Sequence, residues 1–217
     1  MNFLAHCALA DDASNTWPAG EDMRQGLLAG AILADFGKGP VPTSMPNALQ
    51  TGIRLHRRID AFSNQQTAIR EVCATFPANL RRYAPIFLDI LGDYYLSKSW
   101  DLYYEEPRHI FSQRCYAACV EFRDSLQGNS SLQLGKFLSY MRETDLLANY
   151  DEWQHVERGL HSVLRRLGQE TLSQEVKEAA IAQRDTGEAA FRIYFADLRS
   201  QLPHWSALAT THEGSQS

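Results

Sequence analysis

The chain has 217 residues, long enough for one sizeable domain with a real core, and no composition shift marks a second domain. Hydrophobic residues at 44% and charged residues at 22% are ordinary for a water-exposed globule, while a net charge of −5 excludes general binding to nucleic acid or to membrane surfaces. Any basic patch must be local.

Residues 1–10 are apolar apart from Asn2 and His6, which predicts a short buried helix ending at Asp11 and Asp12. No Lys or Arg precedes the apolar run, so it does not read as a signal peptide. No later stretch is long enough to span a bilayer, and a cytoplasmic location is expected. His6 alone on such a helix is more often a hydrogen-bonded core residue than a ligand, and it gains meaning only with partners. Residues 12–21 hold Ser, Asn, Pro and Gly and read as a loop. Residues 22–36 read as a helix closed by Gly37. Asp35 falls in its last turn, where a carboxylate opposes the helix dipole unless a metal or an arginine neutralises it.

Residues 39–46 carry three of the eight prolines and form a break. The following segment, LQTGIRLHRRIDAFSN (residues 49–64), is the densest polar stretch of the chain. Asp60 lies four residues after His56, so the two side chains stack on one helix face and could grip a divalent metal. Arg54, Arg57 and Arg58 fan around the same turns, and their guanidinium forks suit phosphate oxygens. A helix over residues 65–75 leads to Pro77. A longer one over residues 79–100 carries Arg81 and Arg82, then an apolar run interrupted by Asp89 and Asp93, again four apart. Such carboxylates must reach solvent at a groove or pair with cations.

Beyond residue 101, helices are predicted over 107–126, 132–150, 152–167 and 172–202, and most of this half reads as scaffold. Tyr103, Tyr104, Phe111, Tyr116 and Phe122 fit core packing, and the Arg165-Arg166 pair fits a solvated face. Cys7, Cys73, Cys115 and Cys119 lack CxxC spacing and read as buried reduced thiols. There is no useful β-alternation, no glycine-rich phosphate loop, no GxSxG elbow and no repeat. The expected architecture is all-α, a single helical domain over 1–205 with a flexible tail over 206–217.

His6, Asp35, His56, Asp60, Asp89 and Asp93 thus form a six-member set of N/O donors on four helices, without thiolates. Imidazole and carboxylate on facing helices suit manganese, magnesium or iron better than structural zinc. A metal there would polarise a phosphoryl group, with His56, Asp60, Arg57 and Arg58 as the catalytic candidates.

The opening MNFLAH, the segment GLLAGAILADFGKG, the block TGIRLHRRIDAFSN, the run RRYAPIFLDILGDYYL and Trp100 together resemble the acyl carrier protein phosphodiesterases. These are helical hydrolases regarded as distant relatives of the HD-domain metal phosphohydrolases. LHRRID is the most specific part of the resemblance. It implies an HD-like fold and a divalent metal, manganese in the first place, with magnesium or iron as alternatives. It also implies hydrolysis of the phosphodiester joining 4'-phosphopantetheine to a serine of holo acyl carrier protein, which is the implied partner. The chain departs from the family pattern at four polar positions: Ala8, Asn64, Tyr94 and Ser99 stand where His, Asp, His and His are usual. Two alternatives stay open. One is a catalytically impaired homologue that keeps the fold and binds acyl carrier protein or another acidic or phosphorylated partner. The other is an internal ion-pair network that closes the bundle with no ligand.

Overall fold

The computed structural model describes residues 3–17, 20–37, 39–126 and 129–210, all of them helix, turn or loop. The first helix, α1 (Phe3–Thr16), is buried on nearly every side from Phe3 to Ala10. A helix apolar all round belongs in a core rather than on a surface. It continues past Asp11 and Asp12, where the sequence predicts a stop, because both acids are neutralised. Arg114 lies 3.1 Å from Asp11, and Arg199 lies 2.8 Å from Asp12, which also accepts a bond from the Tyr104 hydroxyl at 2.9 Å.

α2 (Glu21–Leu33) is likewise buried from Gly26 to Leu33 and passes into a single 3-10 turn, Ala34–Phe36. α3 (Asn47–Ser63) lies against it. Their backbones touch at three glycines. A Cβ on Gly26 would strike Ala48, one on Gly30 would strike the Gly52 backbone, and one on Gly52 would strike the Gly26 carbonyl. This crossing fixes the relation between the end of α2 and the middle of α3.

α4 (Thr67–Thr75) precedes α5 (Ala84–Lys98), which starts five residues later than the sequence predicts. Pro85 sits in its first turn, the one place in a helix that needs no proline N–H. After a 3-10 turn at Trp100–Leu102 come α6 (Arg108–Phe122) and α7 (Asn129–Thr144). The last of these ends six residues early. Asp145 takes a left-handed φ of 43°, is held by the Ser112 hydroxyl at 2.7 Å, and the Asn149 amide caps the Thr144 carbonyl at 2.9 Å.

α8 (Trp153–Arg166) is followed not by one long helix but by two, α9 (Ser173–Gln183) and α10 (Thr186–Gln201). Tyr95 causes the break. Its hydroxyl donates to the Gln183 carbonyl at 2.9 Å, taking the acceptor that the Gly187 amide would use in a continuous helix, and it occupies the space beside Gly187. A short α11 (Ala207–Thr210) ends the described part of the chain and packs on α3. It falls within the stretch expected to be a flexible tail, of which residues 211–217 lie outside the described residues. Nearly all the large apolar side chains form one continuous core. The four cysteines are free thiols. Among the described residues, no helix is long and apolar enough to cross a membrane.

Candidate metal centre

Three helices converge on one point. α1 delivers His6 from its first turns, α3 delivers His56 and Asp60, and the turn after α2 delivers Asp35. The His6 and His56 rings stack with centroids 3.9 Å apart and planes 11° apart. Both present Nε2 to the same carboxylate: His6 Nε2 is 3.2 Å from Asp60 Oδ1 and His56 Nε2 is 3.4 Å from Asp60 Oδ2. Asp35 Oδ1 approaches His56 Nε2 at 3.9 Å. The imidazoles are buried, whereas the Asp60 side chain is 52% exposed, so the cluster opens to solvent on its acidic side.

The protonation logic of His56 follows from its other nitrogen. Nδ1 lies 2.9 Å from the Ala31 carbonyl, which can only accept, so Nδ1 carries a hydrogen. Nε2 then meets Asp60 and Asp35 either as a cation or as a lone pair that needs a cation between itself and those oxygens. Burial pulls the His56 pKa down, but the bond to Asp60 and the charges of Asp35 and Asp60 outweigh it and leave it raised. His6 goes the other way, lowered to about 4 by burial and by His56 beside it, against the pull of Asp60. Burial raises the Asp60 carboxyl, but its bonds to His56 and His6 dominate and hold it far below the usual carboxylate range. Burial pushes the Asp35 carboxyl up, opposed by His56 and, less strongly, by Arg166.

This donor set fits a first-row divalent ion. His6, His56 and Asp60 each offer one ligand atom, all within 4.8 Å of one another. The His56 Nδ1–H bond to a backbone carbonyl is the usual outer contact that orients a metal-binding imidazole. Asp35 Oδ2 is buried with no hydrogen-bond partner among the described residues, a cost that a cation would relieve.

The other candidates stand outside the three-residue donor set. Asp89, on α5, borders a void of about 10 Å³ together with His6 and Asp60, room for about one water. Its carboxyl is pushed up by burial, with the Asp60 charge adding to the effect. Asp93, one turn on, does not face the cluster. Its two oxygens accept the Leu4 and Ala5 amides at 3.0 and 2.9 Å and so cap the buried first turn of α1. Neither solvent nor a cation was needed to accommodate it, because a helix N-terminus supplied both hydrogens and positive potential. Arg57 donates to the Gly37 carbonyl at 3.2 Å, bracing the turn that carries Asp35. Arg58 lies over the Trp205 ring at 5.4 Å, and Arg54 donates to Gln50 at 2.9 Å.

The positions that depart from the family pattern can also be placed. Ala8 is buried in α1. Asn64 caps α3. Tyr94 packs edge-on against Trp153 at 5.2 Å. The Ser99 hydroxyl donates to Glu188 at 3.4 Å. None of these contacts involves the cluster.

Sequence reasoning passed over α8 as scaffold, yet Arg166 acts on Asp35 and, with His155 and Arg158, borders a cavity of about 360 Å³ that Asp35 also lines. The spacing carried a signal: 155, 158, 162 and 166 recur at helical intervals on one side of a strongly amphipathic segment.

An all-α bundle that gathers imidazoles and carboxylates from facing helices has the architecture helical proteins use to hold a cation. Comparison with known proteins agrees with the earlier resemblance: the family described as acyl carrier protein phosphodiesterase matches residues 1–198, and the chain belongs to that family. Proteins named acyl carrier protein phosphodiesterase from Escherichia coli strains E24377A, HS and K12/DH10B are each 39% identical to it over 100 residues. That match spans 46% of this chain and 46% of each relative, just under half the length of either. No solved structure matches the chain.

Proposed function

We propose that the chain is a metal-dependent phosphodiesterase that releases 4'-phosphopantetheine from holo acyl carrier protein, leaving the apo carrier. The observation that carries the reading is the paired presentation of His6 and His56 Nε2 to Asp60, with His56 Nδ1 fixed on Ala31. His6, His56 and Asp60 would hold the ion, with Asp35 beside them, and manganese suits this neutral-imidazole and carboxylate set, with magnesium or iron as alternatives. When bound, the ion supplies Lewis-acid polarisation of a phosphoryl oxygen and a lowered pKa for its water.

The remaining work falls to the chain. The lowered pKa of His6 keeps its imidazole neutral and available as a donor at neutral pH. Arg57 steadies the Asp35 turn through Gly37 rather than reaching for phosphate itself. Arg166, which lines the same cavity as Asp35 and acts on its charge, is the guanidinium better placed to meet a phosphate oxygen. The test is intact-mass analysis of holo carrier incubated with the protein and Mn²⁺. Conversion to apo carrier that is lost in Asp60→Asn supports the reading, and an unchanged carrier mass at high enzyme concentration rejects it. The commitment of Asp93 to α1 keeps one second reading in play, an impaired homologue that binds the carrier without turnover. It predicts a salt-sensitive complex and an unchanged carrier mass.

A further inference from the structure

The 360 Å³ cavity is of the size that takes small organic ligands. It lies between the start of α1, the Asp35–Phe36 turn, α5, α7 and α8. Its walls are Phe3, Phe36, Phe137, Tyr140 and Tyr150, and Arg158, Ser162 and Arg166 stand on successive turns of α8 along it. Those three are exposed, so they form its mouth.

Gln133, Tyr140 and His155 bring hydrogen-bonding groups into the same lining, and Asp35 brings a carboxylate. An occupant that covers such groups without pairing them is disfavoured. Asp35 also joins the cavity to the metal centre, since its Oδ1 faces His56 at 3.9 Å.

The occupant must therefore be slender, largely uncharged along its length, able to hydrogen-bond inside an aromatic sleeve, and anionic at the Asp35 end, where Arg166 stands. We infer that this cavity receives the pantetheine arm of the substrate. Its phosphate would lie at the Asp35 and Arg166 end, its amides within reach of His155, and its dimethyl and thioethyl portions against the rings. This rests on the phosphodiesterase reading and assigns the part of that site which the metal cluster leaves undefined. A simple fatty chain fits less well, because it would cover those polar groups without pairing them.

Three measurements test the assignment. Pantetheine, which has no phosphate, is titrated into the wild-type protein and into Ser162→Trp, a bulky change at an exposed mouth position that leaves the core intact. Turnover of holo carrier is compared with that of bis(p-nitrophenyl) phosphate, a diester with no arm. Lauric acid is titrated as the apolar competitor. The assignment expects pantetheine to bind wild type and not Ser162→Trp. It expects the KM for holo carrier to rise at least about tenfold in the variant, and the preference for holo carrier over the armless ester, as a ratio of kcat/KM values, to fall by at least as much. His155→Phe, which removes the ring nitrogens and keeps an aromatic ring, should weaken pantetheine binding with an unchanged melting temperature.

If pantetheine fails to bind wild type, binds Ser162→Trp equally well, or is displaced by lauric acid binding more tightly, the assignment is wrong. Turnover that persists with an unchanged KM in Ser162→Trp would leave the phosphodiesterase reading standing and remove only the cavity's role. If wild type cleaves neither ester, the phosphodiesterase reading falls, and the pantetheine titration still decides what the cavity binds.

Discussion

Replacing Gly52 by alanine probes whether the α2–α3 crossing sets the geometry of the cluster. The new methyl would lie 3.0 Å from Gly30 Cα and from Leu27 Cα, and against the Gly26 carbonyl. All three are backbone atoms, so no rotamer change can relieve the contact, and α2 must withdraw by roughly 0.5–1 Å. Overpacking costs about 1–3 kcal/mol, with a rigid contact at the upper end, whereas alanine's helix propensity returns about 1 kcal/mol. The net loss of about 2 kcal/mol corresponds to a melting temperature lower by about 4–8 °C in a chain of this size.

The same withdrawal carries Asp35, which follows α2, away from His56 and Asp60 on α3. The Mn²⁺ affinity should therefore fall by about tenfold or more, the loss seen when the support of a metal ligand is disturbed. Gly135→Ala in α7 is the control, because a Cβ there meets nothing within 4 Å. It should leave metal binding alone and raise stability by up to about 1 kcal/mol. Thermal denaturation and metal titration of both variants decide the matter. Gly52→Ala melting at or above Gly135→Ala, with wild-type Mn²⁺ affinity, would show that the crossing does not position the site.

Histidine titration followed by NMR in the metal-free protein should place His6 near pH 4 and His56 above its ordinary 6.5; two similar values near 6.5 would contradict the stacked, shared-carboxylate geometry. The stability consequences have opposite signs. The raised His56 pKa contributes stability that is full below pH 6.5 and lost as pH climbs through its folded value, whereas the depressed His6 pKa makes stability fall as pH drops from 6.5 towards 4. Urea denaturation across that range should show a maximum near neutrality, and His56→Gln should abolish the loss on the alkaline side. Mn²⁺ competes with the His56 proton, so its affinity should rise with pH through the same interval; a flat profile by calorimetry would count against His56 as a ligand. Tyr95→Phe removes the hydroxyl from the Gln183 carbonyl and should cost about 1 kcal/mol in urea denaturation, with no change in metal affinity.

The helical class and the pairing of His56 with Asp60 were legible because both depend on spacing along one helix. His6 and Asp35 were nameable as oddities, a polar residue on an apolar helix and an acid at the wrong end of another, but nothing local said that they meet. The glycine contacts between α2 and α3 decide that, and these are tertiary. Asp89 and Asp93 look equivalent four residues apart. Only the placement of the α1 N-terminus separates the one beside the cluster from the one that caps a helix. The break before α10 was invisible because its cause, the Tyr95 hydroxyl, lies far away in sequence. The cavity was missed for a related reason: its arginines and His155 sit on α8, remote in sequence from the motif-rich first half.

Metal titration of wild type against Asp60→Asn bears most directly on a cation shared by His6, His56 and Asp60. Asp60 is half-exposed, so the asparagine leaves the core packing unchanged while removing the charge that both imidazoles face. One tightly bound Mn²⁺ per chain in wild type, and at least about tenfold weaker binding in the variant, is the expected result. Equal binding by the two proteins, or none by either, would contradict it.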